Sequence, residues 1–265
     1  MQPLILITND DGIYSPGLIA AAEAVEPFGE LLIVAPRFQQ TNMSRSYPKT
    51  DDQGIIDIVE LNINGRSHVA YGVHGSPALA VSHGILEIAN KKPHLCVSGI
   101  NYGENLGLEI LASGTIGAAL EGDTYDIPSI AVSLETNLDL RHTSDYDELD
   151  WHTAKHFTAV FAEKVLKFNL PYNIGVLNIN IPTDATTATK IRKTVQSRQN
   201  YCIFVKPETR NFAEKFRFKV AIEVDQATLE PDSDIQAIFY DRVVSVTPLR
   251  WNLTADTTWG DEYRY

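Results

Sequence analysis

Several things are scarce in this 265-residue chain, and each scarcity narrows what it can be. There are two cysteines, Cys96 and Cys202, far apart in sequence, which is not the pattern of a disulfide-stapled scaffold or a cysteine-rich zinc module. Cys96 falls inside the apolar run His94-Leu95-Cys96-Val97 and reads as a buried free thiol. Positive charge is also short, with Lys and Arg totalling 22 against 34 Asp and Glu, a net −12. Such a chain lacks the clustered cations that give affinity for a nucleic-acid backbone, so no nucleic-acid partner is expected. An acidic enzyme that neutralises its substrate with a metal stays open. No apolar run approaches the roughly 20 residues that span a bilayer. Met1-Gln2-Pro3 places no positive segment ahead of Leu4-Ile5-Leu6-Ile7, so no membrane contact and a cytoplasmic location are expected. Internal repeats and low-complexity tracts are missing, and with 44% hydrophobic residues the chain can build a core, which excludes collagen-like and disordered readings.

What is present is alternation. Short β-branched or Leu-rich runs alternate with helical patterns through the first half, the signature of βαβ units and a mostly parallel sheet covered on both faces. Leu4 to Thr8 reads as the first strand, and Ser15-Pro16 as a cap and first-turn proline opening a helix through Val25. Leu31 to Val34 is a second strand. Ile55 to Tyr71, turning at Asn64-Gly65, reads as a hairpin excursion from the sheet, spanning about 47–71 with its approach. Ser76-Pro77 opens a helix to about Ala89, Leu95 to Ser98 is a core strand, and a glycine-rich loop follows from Gly99 to Gly107. A small-residue helix Ile116 to Glu121 and a strand Ser129 to Ser133 come next, then an acidic surface connection, Asp139 to Asp150. From Trp151 a helix places Ala154, Phe157, Phe161, Val165 and Phe168 on one face, and Ile174 to Ile181 is a strand ending at Pro182. The expected division is an α/β core, 1–182, and a β-rich extension, 183–265, that serves oligomer contacts without being an independent domain.

Chemistry concentrates where strands end. Asn9-Asp10-Asp11-Gly12 directly follows the first strand, and ligands of open α/β sheets bind beyond the carboxyl ends of strands. Two adjacent carboxylates are costly without a cation and suit Mg²⁺ or Mn²⁺; the same four residues also suit an Asx turn. Thr41 and Ser44, after the second strand, offer hydroxyls for a metal or a phosphate, or form an ordinary polar loop. Asn101 and the glycines around it follow the third strand, and Ser113-Gly114-Thr115 begins a helix whose N–H groups could receive a phosphate. No P-loop and no dinucleotide fingerprint is present. His152 and His156, four apart, read as a solvated helix face, and Trp151 and Trp251 as packing residues.

Taken in order, these segments resemble the SurE family of stationary-phase survival proteins, which are metal-dependent nucleoside monophosphate phosphatases. The stretches that carry the resemblance are Thr8 to Gly12 with Ser15-Pro16-Gly17, Val34-Ala35-Pro36, Gly75-Ser76-Pro77 and Val97 to Gly107. Further along they are Ser113 to Ala119 with Glu121-Gly122, Pro128 with Ala131-Val132-Ser133, Asn178 to Pro182, and Ser245 to Leu249. The resemblance implies a Rossmann-like sheet between helices, and one divalent cation per subunit (Mg²⁺, Mn²⁺ or Co²⁺) held by Asp10, Asp11, Thr41 and Asn101. It implies Asp10 and Asp11 as the catalytic pair, Asn9, Ser44, Asn105, Ser113, Gly114 and Thr115 as phosphate or substrate contacts, and a homodimer or tetramer. The substrates it implies are nucleoside 5′-monophosphates, with 3′-monophosphates open. Thr41 stands where the family usually has Ser, Ala112 where it often has Tyr, and Ala78-Leu79-Ala80 follow Gly75-Ser76-Pro77 where an Asp-Cys pair is usual. The tail after Leu253 is short and polar, so a C-terminal helix exchanged between subunits is not expected. Two other readings fit the same scaffold: a metal-dependent transferase, and a nucleotide-binding sensor without turnover.

Overall fold

The computed structural model describes residues 2–138 and 149–254. Eleven strands and four α-helices run in the order β1 (Leu4–Thr8), α1 (Pro16–Val25), β2 (Glu30–Pro36), β3 (Ile56–Ile63), β4 (Arg66–Val73), α2 (Pro77–His83), β5 (Leu95–Tyr102), α3 (Gly114–Thr124), β6 (Ser129–Leu134), α4 (His152–Phe168), β7 (Val176–Ile181), β8 (Ile191–Lys193), β9 (Cys202–Phe204), β10 (Val220–Ile222) and β11 (Val244–Leu249) among the described residues. Nine strands form one sheet in the order β3-β4-β2-β1-β5-β6-β7-β11-β8, and β9 and β10 pair in a separate antiparallel ribbon.

The middle of the sheet is parallel from β4 through β7. Its strands are buried on both faces: alternate residues of β1 belong to opposite cores, Ile5 and Ile7 with α1 and α4, Leu4 and Leu6 with α2 and part of α3. Helix starts follow the sequence signals. The Ser15 hydroxyl accepts from the Gly17 N–H at 3.2 Å, and the Ser76 hydroxyl accepts from the Leu79 N–H at 3.2 Å, each with proline at the first helical position. The α2 turn continues in a wider coil through Ile88, as far as the expected helix reaches. In α4 the buried stripe is Ala154, Phe157, Phe161 and Val165; Phe168, expected on that stripe, is the last residue of the helix and is 71% exposed.

Three further expectations are corrected. The hairpin does not leave the sheet: β4 pairs parallel with β2, and β3 closes that edge antiparallel to β4. Its alternating burial fits this position, with Leu61, Ile63, Ala70 and Val73 inward. The third core strand continues past Ser98 to Tyr102 through a register shift between Ser98 and Asn101, so Asn101 sits in the strand's last turn instead of in a free loop. The sheet also extends beyond residue 182, since β11 lies antiparallel to β7 and β8 parallel to β11. The acidic connection falls almost wholly outside the described residues, as does most of the tail after Leu253. Cys96 is a fully buried free thiol on β5.

From β1 the chain moves outward to β2 and β4, then returns across β1 to β5 and continues the other way. The carboxyl ends of β1 and β5 therefore flank a topological switch point, where an open α/β sheet leaves a crevice for ligand.

Candidate functional site

The turn after β1 is fixed by its own asparagine. The Asn9 side-chain amide donates to the Gly12 carbonyl at 3.1 Å and accepts from the Gly12 N–H at 3.1 Å, and Gly12 takes φ +108, a conformation that disfavours any side chain. Asn9 is fully buried, so the structure gives it a turn-closing part in place of the expected substrate contact. What the turn presents is Asp10 and Asp11, which are 5% and 4% exposed.

Asp10 lies against the start of α3. Its carboxylate accepts the Thr115 hydroxyl at 2.6 Å, and its carbonyl accepts the Gln40 N–H at 2.6 Å. A Cβ on Gly114 would stand 2.7 Å from the Asp10 Cβ and Oδ2, so only glycine lets the carboxylate approach the helix this closely. Asp11 accepts from the Tyr102 N–H and from the Gln39 side-chain amide, each at 3.4 Å. Burial pushes the Asp10 carboxyl up to about 6 despite the Thr115 hydrogen bond. Burial pushes Asp11 well above the ordinary carboxylate range, and the neighbouring Asp10 charge adds to it.

Across the switch point, the Asn101 side-chain amide donates to the Gly103 carbonyl at 2.7 Å. Asn105 is held by the ends of β6 and β7. Its N–H donates to Asn180 Oδ1 at 2.7 Å, its carbonyl accepts from Asn178 and Asn180 at 2.9 and 3.1 Å, and its side-chain amide donates to Ser133 Oγ at 2.8 Å. Ser113 caps α3, accepting the Ile116 N–H at 3.1 Å. Asp10, Thr41, Asn101, Asn105 and Ser113 all line a cavity of about 380 Å³, a small-molecule volume. The lining also includes an apolar set, Leu108, Ile203, Phe204 and Val220. Sequence reasoning missed this apolar lining, because the two short runs that hold Ile203, Phe204 and Val220 carry no sign that they border the same cavity as Asp10 and Asn101.

Ser44 is displaced from its expected place. Its hydroxyl donates to the Leu111 carbonyl at 2.9 Å and its N–H to the Ala112 carbonyl at 3.0 Å, and it borders a different cavity. It latches the loop that carries Thr41 onto the segment before α3. A second latch was also missed: Glu121, 2% exposed within α3, accepts from Arg45, Tyr47 and Ser82, each at 2.6 Å. Arg37 in turn pairs with Asp57 at 2.6 Å. Both cations of these loops are thus committed to carboxylates elsewhere, which leaves a bound anion to the α3 dipole and to neutral donors.

The donor set suits a hard divalent cation. Asp10, the Thr41 hydroxyl and the Asn101 side-chain amide line the cavity with Asp11 buried next to Asp10, and these are the oxygen ligands that Mg²⁺ and Mn²⁺ take; such an ion would offset the burial that raises both acids and the Asp10 charge that adds to it at Asp11. Among the described residues no group of three or more His, Cys, Asp and Glu forms an alternative metal cluster.

The family model for the survival protein SurE matches residues 5–202. This chain belongs to the SurE family. It is 36% identical over 254 residues to the protein named 5′-nucleotidase SurE of Thermococcus kodakarensis, covering 95% of this chain and 93% of that relative. With the protein of the same name from Thermococcus gammatolerans it shares 39% identity over 252 residues, covering 95% and 91%. The crystal structure of the SurE protein from Aquifex aeolicus has the same fold, with a TM-score of 0.73 at 30% identity over 95% of each chain. The SurE match takes in every polar residue of the cavity wall and stops before Ile203, Phe204 and Val220. No helix among the described residues is long and apolar enough to cross a membrane.

Proposed function

We propose that this chain is a phosphoric monoester hydrolase that converts nucleoside 5′-monophosphates, and also 3′-monophosphates, to nucleoside and inorganic phosphate, using one divalent cation per subunit, Mg²⁺, Mn²⁺ or Co²⁺. The proposal extends to a homodimeric or tetrameric protein of the cytoplasm. The observation that carries it is the buried Asp10 and Asp11 pair at the switch point, beside a cavity that α3 enters by its N-terminus. The names of the relatives agree with it.

Asp10 and Asp11 would hold the cation, with the Thr41 hydroxyl and the Asn101 amide oxygen completing the shell. When bound, the ion polarises the phosphoryl group, lowers the pKa of a water and offsets charge in an in-line displacement. The protein's residues do the positioning. Thr115 keeps Asp10 in one orientation, and the Asn9 turn fixes the two carboxylates relative to each other. Ser113 and the positive end of α3 face the phosphate oxygens from one side, and Asn105, braced by Asn178, Asn180 and Ser133, faces them from the other. The apolar lining residues Leu108, Ile203, Phe204 and Val220 are left to meet the rest of the substrate.

The test is inorganic phosphate release from a panel of 5′- and 3′-nucleoside monophosphates with Mn²⁺, Mg²⁺, Co²⁺ or EDTA. Release that requires a metal and stops in EDTA is the expected result. A folded protein that releases none in any metal overturns the reading; tight nucleotide binding would then make it a sensor, and release only with an added acceptor a transferase.

A further inference from the structure

The cavity is divided in chemistry. Its polar wall lies within the SurE match, residues 5–202, whereas Ile203, Phe204 and Val220 lie beyond it, on the β9–β10 ribbon. These side chains offer no group that holds a phosphate, and apolar lining in a cavity that takes one selects what the phosphate is attached to. Phe204 stands out among them. It lines the cavity yet is 70% exposed, so it sits at the mouth, and Phe218 packs on it at 5.1 Å between ring centroids with a 37° tilt. Phe218 is in turn met edge-on by Phe216 at 5.3 Å, and the Arg210 guanidinium lies 4.6 Å from the Phe216 centroid. The ring that edges the cavity is therefore braced by Phe218, which is itself held by Phe216 and, through it, by Arg210. An exposed aromatic braced in this way is the structure on which a nucleobase stacks, because every base has a π face.

We infer that Phe204, supported by Ile203, Val220 and Leu108, is the nucleobase platform of this site, so that the β9–β10 ribbon decides the preference for nucleotides over other phosphate esters. The inference rests on the phosphatase reading for its kinetic form, and its binding form stands independently. In chemical terms the ribbon recognises the flat aromatic part of the substrate, while the switch point recognises the phosphate. The platform is sequence-tolerant among bases, since stacking reads a π face and not a pattern of donors and acceptors.

Two measurements test this on Phe204→Ala, Phe204→Trp and, as a control away from the ribbon, Tyr172→Ala, which alters a fully exposed ring that does not line the cavity. The first is the ratio of kcat/KM for a nucleoside 5′-monophosphate to that for glycerol 2-phosphate. The ratio should fall about tenfold or more in Phe204→Ala, chiefly through the nucleotide KM, and be restored in Phe204→Trp and unchanged in Tyr172→Ala. The second is equilibrium binding of adenosine, which carries no phosphate, and it should weaken by a similar factor in Phe204→Ala alone. A ratio and an adenosine affinity that stay within twofold of the parent in Phe204→Ala overturn the platform, as does an equal loss on both esters. A parent protein that hydrolyses neither ester yet binds adenosine through Phe204 supports the platform and removes the phosphatase reading.

Discussion

Gly114→Ala tests the construction of the site at a single methyl group. The added Cβ would lie 2.7 Å from the Asp10 Cβ and Oδ2 and 3.0 Å from its Cγ, where ordinary contact begins at 3.4 Å. The carboxylate must therefore retreat from α3 by about 0.7 Å, the difference between 3.4 and 2.7. It cannot swing away cheaply, because Asp10 is buried and tied to Thr115 at 2.6 Å, and its backbone is tied to Gln40 at 2.6 Å. A displacement approaching 1 Å in a group that positions a reacting centre lowers rate by roughly 10²-fold. Helix propensity works in the opposite direction, since alanine favours the helical backbone over glycine by up to about 1 kcal/mol. The expected result is thus a fall of about 10² in kcat/KM for phosphate release with thermal stability within a few degrees of the parent. Parent-level activity in Gly114→Ala, or a loss matched by unfolding, would refute the argument that this close approach sets the carboxylate.

Thr115→Val removes the hydroxyl on Asp10 while keeping the side-chain shape, and should weaken Mn²⁺ binding measured by calorimetry by tenfold or more, as loss of a roughly 1.5–3 kcal/mol charge-assisted hydrogen bond implies. Adding Mn²⁺ to chelator-treated protein at about 100 times its dissociation constant should stabilise it by about 2.7 kcal/mol, seen as a rise in Tm that Asp11→Asn abolishes. Gly117→Ala would place a Cβ 2.1 Å from the Ser44 carbonyl oxygen and so push back the Thr41 loop; its activity should fall with little change in the far-ultraviolet circular dichroism. His74 is held between Asp52 at 2.9 Å and Asp57 at 3.4 Å, and the Asp52 hydrogen bond is the largest cause of its raised pKa. A His with a raised folded pKa contributes stability that is whole below about 6.5 and lost as pH rises through the folded value, so melting temperature should decline above neutrality and the decline should be smaller in His74→Gln.

The fold's centre was legible because its signals are local. Strand β1, the Ser15-Pro16 and Ser76-Pro77 caps, and the strand ends that bear Asp10, Asp11 and Asn101 follow from short-range pattern and from the rule that α/β crevices open at carboxyl ends. What the sequence hid depends on pairing between distant segments. The Asn64-Gly65 turn announces a hairpin, but nothing near it shows that Ala70 will lie beside Ile33 in a parallel ladder. Likewise Val243 to Val246 reads as a short strand-like run with no sign that Val246 will pair with Ile179. Asn9 and Ser44 carry the same side-chain chemistry as the residues that line the cavity, and only the fold shows that their polar atoms are spent on Gly12 and Leu111. Phe204 was readable as a strand residue, whereas its place at the cavity mouth is a property of the tertiary fold alone.

The most direct test of the central claim is phosphate release from a nucleoside 5′-monophosphate in saturating Mn²⁺ by the parent protein, Asp10→Asn and Asp11→Asn, each shown to be folded and each assayed for Mn²⁺ binding on the same preparation. The account requires metal-dependent release by the parent and a loss of at least about 10³-fold in both variants, together with lost Mn²⁺ binding, since each variant removes an anionic ligand from the ion that acts on the phosphate. Release by Asp10→Asn within tenfold of the parent, or undiminished release by the parent in EDTA, would contradict it.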